Sequence, residues 1–303
     1  MARPIICITT GDPRGIGPEV VKKALATHGL KEKAEFLIFT STAVNKNNPN
    51  ACARASLEFI DQAFNLIRRG KADALVTGPV SKEAINLLGL PAGMKFKGHT
   101  EYLAKLCGRE KFAMMFVSKK LKISLVTRHI PLSEVSKGIS IKSICDTVEL
   151  TRNALKDWFG IKNPKIGVAG LNPHCGEAGL FGREEILTIG PAVRKLQARY
   201  GGISGPIPGD TLLHDAYNQK YDAAICMYHD QGLAAFKMIA RNYGVNLTLG
   251  LPFVRTSPDH GTGFDIARKA KADPGSMTEA IKLAVRLAIK LSSYVIPAKA
   301  GIH

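Results

Sequence analysis

The sequence lacks any long hydrophobic run. No window offers about eighteen uninterrupted apolar residues, so no transmembrane helix is predicted and we expect no membrane partner. The first apolar run starts at Ile5 and breaks at Thr9, which is too short for a signal peptide and is typical of a β-strand. We therefore expect a cytoplasmic protein.

Cysteine is also scarce, and its spacing suggests no pairing. The 303 residues include 6 cysteines and no CxxC motif, which excludes a small scaffold built on disulfides. A chain of this length with 45% hydrophobic residues can bury a large core without such bridges. The pattern predicts free thiols in a reducing compartment.

Acidic residues are few compared with basic ones. Lysine and arginine number 42 against 25 aspartates and glutamates, which gives a formal net charge of +17. The excess is spread along the chain, runs of basic residues stop at two, and aromatic residues do not alternate with them. We therefore expect no nucleic-acid partner. Solvated helix faces and a site for anionic small molecules are the two interpretations of the charge.

Short runs rich in β-branched residues alternate with helical patterns, which is typical of an α/β fold with a mainly parallel sheet flanked by helices. The periodicity predicts a helix from Ile141 to Trp158 and another after a capping box at Ser276–Glu279. The predicted strands are Ile5–Thr10, Phe36–Thr40, Ala74–Thr77, Met114–Val117, Ile123–Thr127, Ile166–Gly170 and Ala223–Met227.

Several predicted strands end in polar turns that carry a histidine. In an open α/β sheet, ligands bind beyond the carboxyl ends of the strands, which share one edge. His129, His174 and His229 each follow a predicted strand, so the sheet would deliver them to this edge. Three neutral imidazoles suit a zinc-like divalent ion, although each histidine alone could be an ordinary exposed residue.

The dinucleotide fingerprint GxGxxG and a Walker lysine are both absent, since the glycine-rich turn at 11–19 fits neither pattern. A phosphate or carboxylate site is indicated instead by Lys237, Asn246 and Arg255, of which the two cations taken singly are more often surface charges. Asp210 is a candidate base or the N-cap of the helix that follows it.

Five ordered motifs together resemble the 4-hydroxythreonine-4-phosphate dehydrogenase family of vitamin B6 biosynthesis, over nearly the whole chain. The stretch from His260 to Ala267 is also similar to the adenine-side loop of isocitrate and isopropylmalate dehydrogenases, which implies their two-domain fold and a non-Rossmann NAD site. The five motifs are Thr10-Gly11-Asp12-Pro13 with Gly15-Ile16-Gly17-Pro18-Glu19, Gly98-His99-Thr100-Glu101, Gly170-Leu171-Asn172-Pro173-His174 with Gly176-Glu177, Tyr228-His229-Asp230-Gln231-Gly232, and Arg255-Thr256-Ser257 with Asp259-His260-Gly261-Thr262.

The resemblance implies how the chain is divided and which residues form the site. We expect a cofactor-side α/β domain at 1–95 and 250–303 and a metal- and substrate-side α/β domain at 96–249. The metal, Zn, Mg or Co, is expected on His129, His174 and His229. Substrate contacts are expected at His99, Thr100, Lys237, Asn246 and Arg255. NAD or NADP contacts are expected at His260, Gly261, Thr262 and Asp265. Apart from the resemblance, we expect catalytic roles for Lys237 and for Asp210, with a metal-bound hydroxide as the alternative proton acceptor.

The implied activity is an NAD-dependent, divalent-metal-assisted oxidation of 4-phosphohydroxy-L-threonine with decarboxylation to 3-amino-2-oxopropyl phosphate, in pyridoxal 5'-phosphate biosynthesis. The metal would lower the pKa of the substrate hydroxyl, so that hydride can leave for the nicotinamide. The resemblance also implies a homodimer whose active site takes residues from both subunits.

Two features depart from the family pattern. The segment Thr40–Arg54 is much shorter than the usual insertion there, and Arg14 stands where a small residue is usual. Arg14 would add a phosphate contact or narrow the pocket. The alternatives to the main interpretation are a D-threonate or D-erythronate 4-phosphate dehydrogenase, a phosphate acyltransferase on the same fold, and a non-catalytic binding protein.

Overall fold

The computed structural model describes residues 3–89 and 95–293. The chain divides into two compact units, which we call unit 1 (Met1–Glu110 with Asn242–His303) and unit 2 (Lys111–Arg241). Each unit holds a mostly parallel sheet together with helices, as the α/β prediction required. Within the described residues, no helix is both long enough and apolar enough to cross a membrane.

Unit 1 contains five strands in the order β2-β1-β3-β10-β9, all parallel except β9, which runs antiparallel to β10. The strands are β1 (Ile5–Thr9), β2 (Glu35–Phe39), β3 (Ala74–Thr77), β9 (Val245–Leu249) and β10 (Val254–Pro258). The helices are α1 (Gly17–Leu25), α2 (Leu30–Lys33), α3 (Pro49–Arg68), α4 (Lys82–Asn86), α5 (His99–Leu106) and α11 (Gly275–Ser293).

Unit 2 contains five strands in the order β4-β5-β8-β6-β7, all parallel except β4. The strands are β4 (Ala113–Val117), β5 (Lys122–Leu125), β6 (Ile166–Ala169), β7 (Ile203–Ile207) and β8 (Ala223–Cys226). The α-helices are α6 (Val135–Gly138), α7 (Ile141–Asp157), α8 (Gly190–Tyr200), α9 (Gly209–Tyr217) and α10 (His229–Ala240). Shorter helical turns span Leu132–Glu134, Pro173–Gly179, Glu185–Ile189 and, at the chain junction of the two units, Arg241–Tyr243.

Local sequence explains where the longer helices begin. Asn48 caps α3, because its Oδ1 accepts hydrogen bonds from the backbone nitrogens of Asn50 and Ala51 at 3.0 and 3.1 Å. Ser140 and Ser143 form a reciprocal capping box at the start of α7. In unit 2, the buried core packs Phe116 of β4 against Phe236 of α10, with ring centroids 5.7 Å apart.

All seven predicted strands are strands, with ends that differ by at most two residues, whereas β7, β9 and β10 were not predicted. β7 reads Ile-Ser-Gly-Pro-Ile and is paired on one side only, so it shows no apolar run. β10 reads Val-Arg-Thr-Ser-Pro, yet every one of its residues is buried. Its polar groups are buried because partners in unit 1 satisfy most of them, which a strand pattern does not reveal.

The capping box predicted at Ser276–Glu279 is wrong. Helix α11 begins at Gly275, so Ser276 lies inside it. The hydroxyl of Ser276 instead donates to the backbone oxygen of Gly244 and lies within hydrogen-bonding distance of Asp259. The hydroxyl that the local pattern assigned to helix capping therefore forms hydrogen bonds with residues outside the helix.

The two compact units differ in their bounds from the domains expected at 1–95 with 250–303 and at 96–249. Helix α5 and strand β9 belong to unit 1. Strand β9 pairs with β10 there, and the hydroxyls of Thr100 on α5 and Thr248 on β9 lie 3.3 Å apart. The division of labour between a cofactor side and a metal side stays a prediction.

Candidate functional site

In unit 2, three neighbouring parallel strands precede the three histidines of the predicted metal site. Strand β8 lies between β5 and β6. His129 follows β5 and His174 follows β6 in the turns beyond these strands, and His229 follows β8 as the first residue of α10. The ring centroids of His129 and His229 are 5.7 Å apart. The sheet therefore brings two of the three imidazoles together, as adjacent parallel strands should.

A carboxylate lies against one of these rings. The Nδ1 atom of His229 is 2.7 Å from Oδ1 of Asp230, while the His229 side chain is 36% exposed. An imidazole that gives its Nδ1 proton to a carboxylate presents Nε2 as a lone pair, which is the usual arrangement in histidines that bind metals. The ring of His229 is thus prepared for a cation at Nε2.

The third histidine lies in an unusual backbone segment. His174, Cys175, Glu177 and Ala178 all have positive φ, between 41 and 57°. This left-handed turn is costly for non-glycine residues and persists only where its surroundings hold it. The exposed His174 does not complete a cluster, because the described part of the chain has no group of three or more His, Cys, Asp or Glu side chains placed to hold a metal ion. The three-ligand set stays a prediction.

A buried carboxylate holds the start of that turn. Glu185 is only 5% exposed, and its Oε1 accepts hydrogen bonds from the backbone nitrogens of Leu171 and Asn172 at 2.7 and 2.8 Å. Its Oε2 accepts a third bond from the amide of Asn172. Sequence reasoning missed Glu185, since a glutamate in a helical stretch carries no local signal for such a role.

Unit 1 contains a buried arginine among hydroxyl groups. Arg255 on β10 is 2% exposed and donates to Oγ1 of Thr248 at 3.0 Å, of Thr100 at 3.4 Å, and of Thr77. Burial lowers the pKa of Arg255 to about 9, against the opposing effect of the Glu101 charge. The structure therefore brings the predicted residues Arg255 and Thr100 together, and adds Thr77 and Thr248, which the sequence did not single out.

Several predicted binding residues carry buried polar atoms that have no hydrogen-bond partner among the described residues. These atoms are Nε2 of His99, Oδ1 of Asn246 and Nε of Arg255. A buried polar atom without a partner costs about 1–3 kcal/mol, so it indicates a place where a ligand supplies the missing bond. His99 is the first residue of α5, and its burial together with the charges of Arg255 and Lys82 lowers its pKa well below the ordinary value.

The two predicted catalytic residues lie at the surface of unit 2. Lys237 is exposed in the last turn of α10, and Asp210 is exposed in the first turn of α9. The alternative that Asp210 caps this helix is wrong, because Pro208 occupies the N-cap position and Asp210 is the second helical residue. Within the part of the chain that the structure describes, its carboxylate accepts hydrogen bonds only from the backbone nitrogen and the hydroxyl of the adjacent Thr211.

The predicted nucleotide loop contacts the glycine-rich opening turn within unit 1. The backbone nitrogen of Ile16 donates to the oxygen of Thr262 at 2.9 Å. His260 has a buried Nε2 without a hydrogen-bond partner among the described residues, and its Nδ1 is 2.9 Å from the oxygen of Gly261. Gly261 and Asp265 are exposed. The loop thus presents one unpartnered ring nitrogen and an exposed carboxylate.

Arg14 uses its guanidinium inside unit 1. It forms a two-pronged pair with the buried carboxylate of Asp12, at 3.1 Å from Nε and 2.7 Å from Nη2, and lies 5.0 Å above the ring of Phe264. This pairing raises the pKa of Arg14. The guanidinium of Arg14 is thus paired with Asp12. A phosphate contact and a narrowed pocket, the two roles predicted for Arg14, stay predictions.

Comparison with known proteins identifies relatives over nearly the full length. The chain matches the family described as "Pyridoxal phosphate biosynthetic protein PdxA" over residues 18–284. A 4-hydroxythreonine-4-phosphate dehydrogenase of Desulforapulum autotrophicum is 41% identical, covering 93% of this chain and 95% of the relative. The crystal structure of a 4-hydroxythreonine-4-phosphate dehydrogenase from Klebsiella pneumoniae superposes with a TM-score of 0.81 at 32% identity, covering 94% and 99% of the two chains.

A more distant structure supports the fold. A β-decarboxylating dehydrogenase from Thermococcus kodakarensis is 16% identical, with a TM-score of 0.54 over 95% of this chain and 84% of that one. At this identity the likeness shows the fold alone, and it confirms the prediction of an isocitrate/isopropylmalate dehydrogenase-like architecture. The full-length relatives confirm the resemblance carried by the five motifs: the chain belongs to the PdxA family.

Proposed function

We propose that the chain is an NAD-dependent, divalent-metal-assisted dehydrogenase that converts 4-phosphohydroxy-L-threonine to 3-amino-2-oxopropyl phosphate and carbon dioxide. The observation that carries the proposal is the unpartnered polar atoms of unit 1, on His99, Asn246 and Arg255. An anionic group can accept from Arg255 Nε, and the oxygen of Asn246 calls for a donor such as a substrate amino or hydroxyl group. The names of the full-length relatives agree with this substrate class.

The family implies a divalent metal, and the donors of unit 2 suit one. His129 and His229 have neighbouring rings, and Asp230 orients His229. With His174 as the third ligand they would hold Zn, Mg or Co. When bound, the ion acts as a Lewis acid that polarises the substrate hydroxyl and stabilises negative charge.

The loop from His260 to Asp265 would hold the dinucleotide. The unpartnered Nε2 of His260 and the open surface around Gly261, where a Cβ would meet no atom within 4 Å, leave room for a flat ring or a ribose. The backbone of Thr262 is fixed by Ile16, which anchors the loop. Bound NAD supplies the hydride acceptor.

The chain's own residues bind the substrate and move its proton. Arg255 and Thr100 fix an anionic group by charge-assisted hydrogen bonds, and neutral His99 donates one ring N–H. The carboxylate of Asp210 accepts the proton of the substrate hydroxyl during oxidation. The ammonium of Lys237 binds a phosphate or carboxylate oxygen.

We propose that the enzyme acts as a homodimer. Several large apolar side chains of unit 2 are exposed, among them Leu132 and Leu180 at 73% each and Leu187 at 59%. Ser136 donates to Glu184 at 2.6 Å, which ties together the two segments that carry them. A second copy of the chain would cover such side chains.

We place the enzyme in the cytoplasm. All 6 cysteines are free thiols, and burial raises the pKa of Cys7 and of Cys226 to about 12. Cysteines that stay free are typical of a reducing compartment, and the raised pKa makes the buried thiols unreactive.

The test measures NADH absorbance with 4-phosphohydroxy-L-threonine and, separately, with D-erythronate 4-phosphate, each with and without a metal chelator. NADH from the first substrate, lost on chelation and restored by metal, is expected. No turnover of the first substrate, or turnover indifferent to chelation, would contradict the proposal. Replacing NAD by NADP in the same assay decides between the two cofactors.

A matched pair of variants tests the anion site. Arg255→Lys replaces a planar fork by a point charge, so KM for the phosphorylated substrate should rise about tenfold or more, corresponding to roughly 1.5–3 kcal/mol for a hydrogen bond to a charged group. Arg286→Lys, at an exposed position on α11, is the control. Equal KM values in both variants would remove Arg255 from the site.

A further inference from the structure

The segment of unit 1 that follows β10 has a costly backbone conformation. We call residues 260–272 the loop segment, which includes the predicted nucleotide loop and continues to Ala272. Arg268 and Ala270 in this segment have positive φ, of 64 and 55°. A left-handed conformation is unfavourable for residues with a side chain and persists only where surrounding contacts hold it. The shape of the loop segment therefore depends on the residues that pack against it.

Helix α1 holds the far end of the loop segment. The ammonium of Lys23 donates to the backbone oxygens of Ala270 and Ala272 at 3.0 and 2.9 Å. The carboxylate of Glu19 accepts from this ammonium at 2.7 Å and from the backbone nitrogen of Ala272 at 3.0 Å. One ion pair of α1 therefore satisfies backbone groups at the end of the loop segment.

The turn before α1 holds the near end. The backbone nitrogen of Ile16 donates to the oxygen of Thr262 at 2.9 Å. A Cβ on Gly15 would lie 2.6 Å from that same oxygen, and a Cβ on Gly263 would lie 3.0 Å from the side chain of Ile16. The two backbones are therefore in close contact, and the near end of the loop segment cannot shift without moving this turn.

Between these two ends, Arg14 contacts an exposed aromatic ring. Phe264 is 46% exposed, so burial in a core does not fix its side chain. The guanidinium carbon of Arg14 lies 5.0 Å from the centroid of this ring, which is within the range of a cation–π contact. Phe264 directly precedes Asp265, one of the predicted dinucleotide contacts. Arg14 therefore restrains the ring in the middle of the predicted nucleotide loop.

Arg14 is itself held in place by a buried carboxylate. Asp12 is 1% exposed and accepts hydrogen bonds from the backbone nitrogen of Arg14 at 2.9 Å, from its Nε at 3.1 Å and from its Nη2 at 2.7 Å. A two-pronged pair of this kind fixes the plane of the guanidinium. The carboxylate also offsets the positive charge, so the geometry favours restraint of the Phe264 ring over attraction of a phosphate.

We propose that Arg14 is a positioning residue: held by Asp12, it fixes the ring of Phe264 and thereby sets the affinity of the predicted nucleotide loop for the dinucleotide. The inference rests on the proposed function, since it assumes that this loop binds the dinucleotide. Arg14 acts through Phe264 and does not itself contact the dinucleotide. A small residue at position 14 would leave the ring without this contact.

The test titrates the full-length protein with NADH or NADPH, whichever the wild type binds more tightly, and follows the fluorescence of the reduced nicotinamide without substrate. Arg14→Met keeps an unbranched side chain but removes the guanidinium plane, so we expect Kd to rise at least roughly threefold, the scale of a cation–π contact. Arg286→Met, at an exposed position on α11, removes the same charge elsewhere and should bind like the wild type. A smaller rise in Arg14→Met would overturn the inference.

A double-mutant cycle separates positioning from a direct phosphate contact. If Arg14 acts through the ring, Arg14→Met should change Kd by less than twofold in a chain that already carries Phe264→Leu. A direct contact between Arg14 and the dinucleotide would instead raise Kd by the same factor in both backgrounds. That additive result would overturn the inference.

Other variants keep the test decisive if Arg14→Met does not fold, since it leaves Asp12 buried without its partner. Phe264→Leu keeps the pair of Arg14 and Asp12 intact and should raise Kd at least roughly threefold by itself. Asp12→Asn combined with Arg14→Met removes both charges and should raise Kd likewise. An unchanged Kd in Phe264→Leu would contradict the inference.

Substrate kinetics distinguish positioning of the loop from a general disturbance of the fold. Phe264→Leu should raise KM for the dinucleotide while KM for the phosphorylated substrate stays within twofold of the wild type. A parallel rise of both KM values would contradict a role confined to the nucleotide loop.

A further variant separates this inference from the proposed function. His260→Ala should weaken dinucleotide binding if the loop holds the dinucleotide, because Nε2 of His260 is buried without a hydrogen-bond partner among the described residues. Unchanged binding in His260→Ala would defeat the assignment of the loop, and the inference with it. Weakened binding in His260→Ala together with an unchanged Kd in Phe264→Leu would defeat only the positioning role.

Discussion

At the scale of single residues, His99 shows how neighbours set a protonation state. Burial is the main cause that lowers its pKa, and the charges of Arg255 and Lys82 lower it further. A neutral ring beside two cations suits a site for an anion, because it can donate an N–H without adding a third positive charge. The same environment lowers the free energy of unfolding at acidic pH, because the folded protein resists protonation of His99.

We expect that cost to appear in the pH dependence of unfolding. In the unfolded chain His99 takes up a proton near pH 6.5, whereas the folded chain resists protonation until well below that value. The stabilisation is therefore fully present above pH 6.5 and is lost as the pH falls, by up to about 1.4 kcal/mol per pH unit. His99→Gln should flatten the slope of unfolding free energy between pH 6.5 and 5, measured by urea denaturation.

The control for this prediction is His28→Gln, since His28 is exposed in unit 1. It should keep the slope of the wild type. Identical slopes in the wild type and in His99→Gln would show that the lowered pKa of His99 does not govern acid stability.

At the scale of secondary-structure elements, the start of α1 is fixed by close backbone approach. Gly17, the first residue of α1, is buried, and a Cβ on it would lie 1.9 Å from the backbone oxygen of Thr10. Nearby, the nitrogen of Asp12 donates to the oxygen of Pro79, which joins the turns that follow β1 and β3. The glycine-rich opening motif therefore packs neighbouring strand ends together.

Gly17→Ala should destabilise the protein despite the better helix propensity of alanine. The propensity gain is about 1 kcal/mol, whereas overpacking a filled site costs typically about 1–3 kcal/mol and more when the clash is with backbone. We expect a lower midpoint in chemical denaturation. Gly261→Ala, where a Cβ meets no atom within 4 Å, should leave the midpoint close to that of the wild type. Equal midpoints in both variants would contradict the packing argument.

The sequence predicted elements by their apolar runs and missed them where polar groups are buried. Strand β3 was predicted with its observed bounds, because Ala74–Thr77 is a buried run of small and β-branched residues. Strand β10 was missed because Arg255 interrupts it. The hydroxyls of Thr77, Thr100 and Thr248 make burial of Arg255 tolerable, and they come from three separate elements.

At the scale of the whole molecule, two surface properties favour different partners. The net charge of +17 favours anionic small molecules, and the exposed apolar side chains favour an apolar protein surface. Charge spread over solvated helices attracts anionic substrate and dinucleotide over a distance limited by salt screening. Exposed Leu132, Leu180 and Leu187 favour instead an apolar partner surface, which the proposed homodimer would supply.

The homodimer is tested by dilution. If the active site takes residues from both subunits, specific activity should fall as the protein is diluted below its dimer dissociation constant, in step with dissociation followed by sedimentation. A variant that carries Leu180→Lys should dissociate at higher concentration, because it places a charge in an apolar contact. A fully active monomer in sedimentation would contradict the shared site.

The sequence alone determined the α/β class, the seven apolar strands and the family, because apolar periodicity and ordered motifs are local properties of the chain. It also placed His129 and His229 beyond strand ends, and the parallel order of β5 and β8 made them neighbours. The tertiary structure alone decided which polar groups are held by partners and which are not. The burial of Arg255 depends on hydrogen bonds to Thr77 and Thr100, which lie far from it in the chain, and the physical reason is that burial and hydrogen bonding are set by what packs around a side chain.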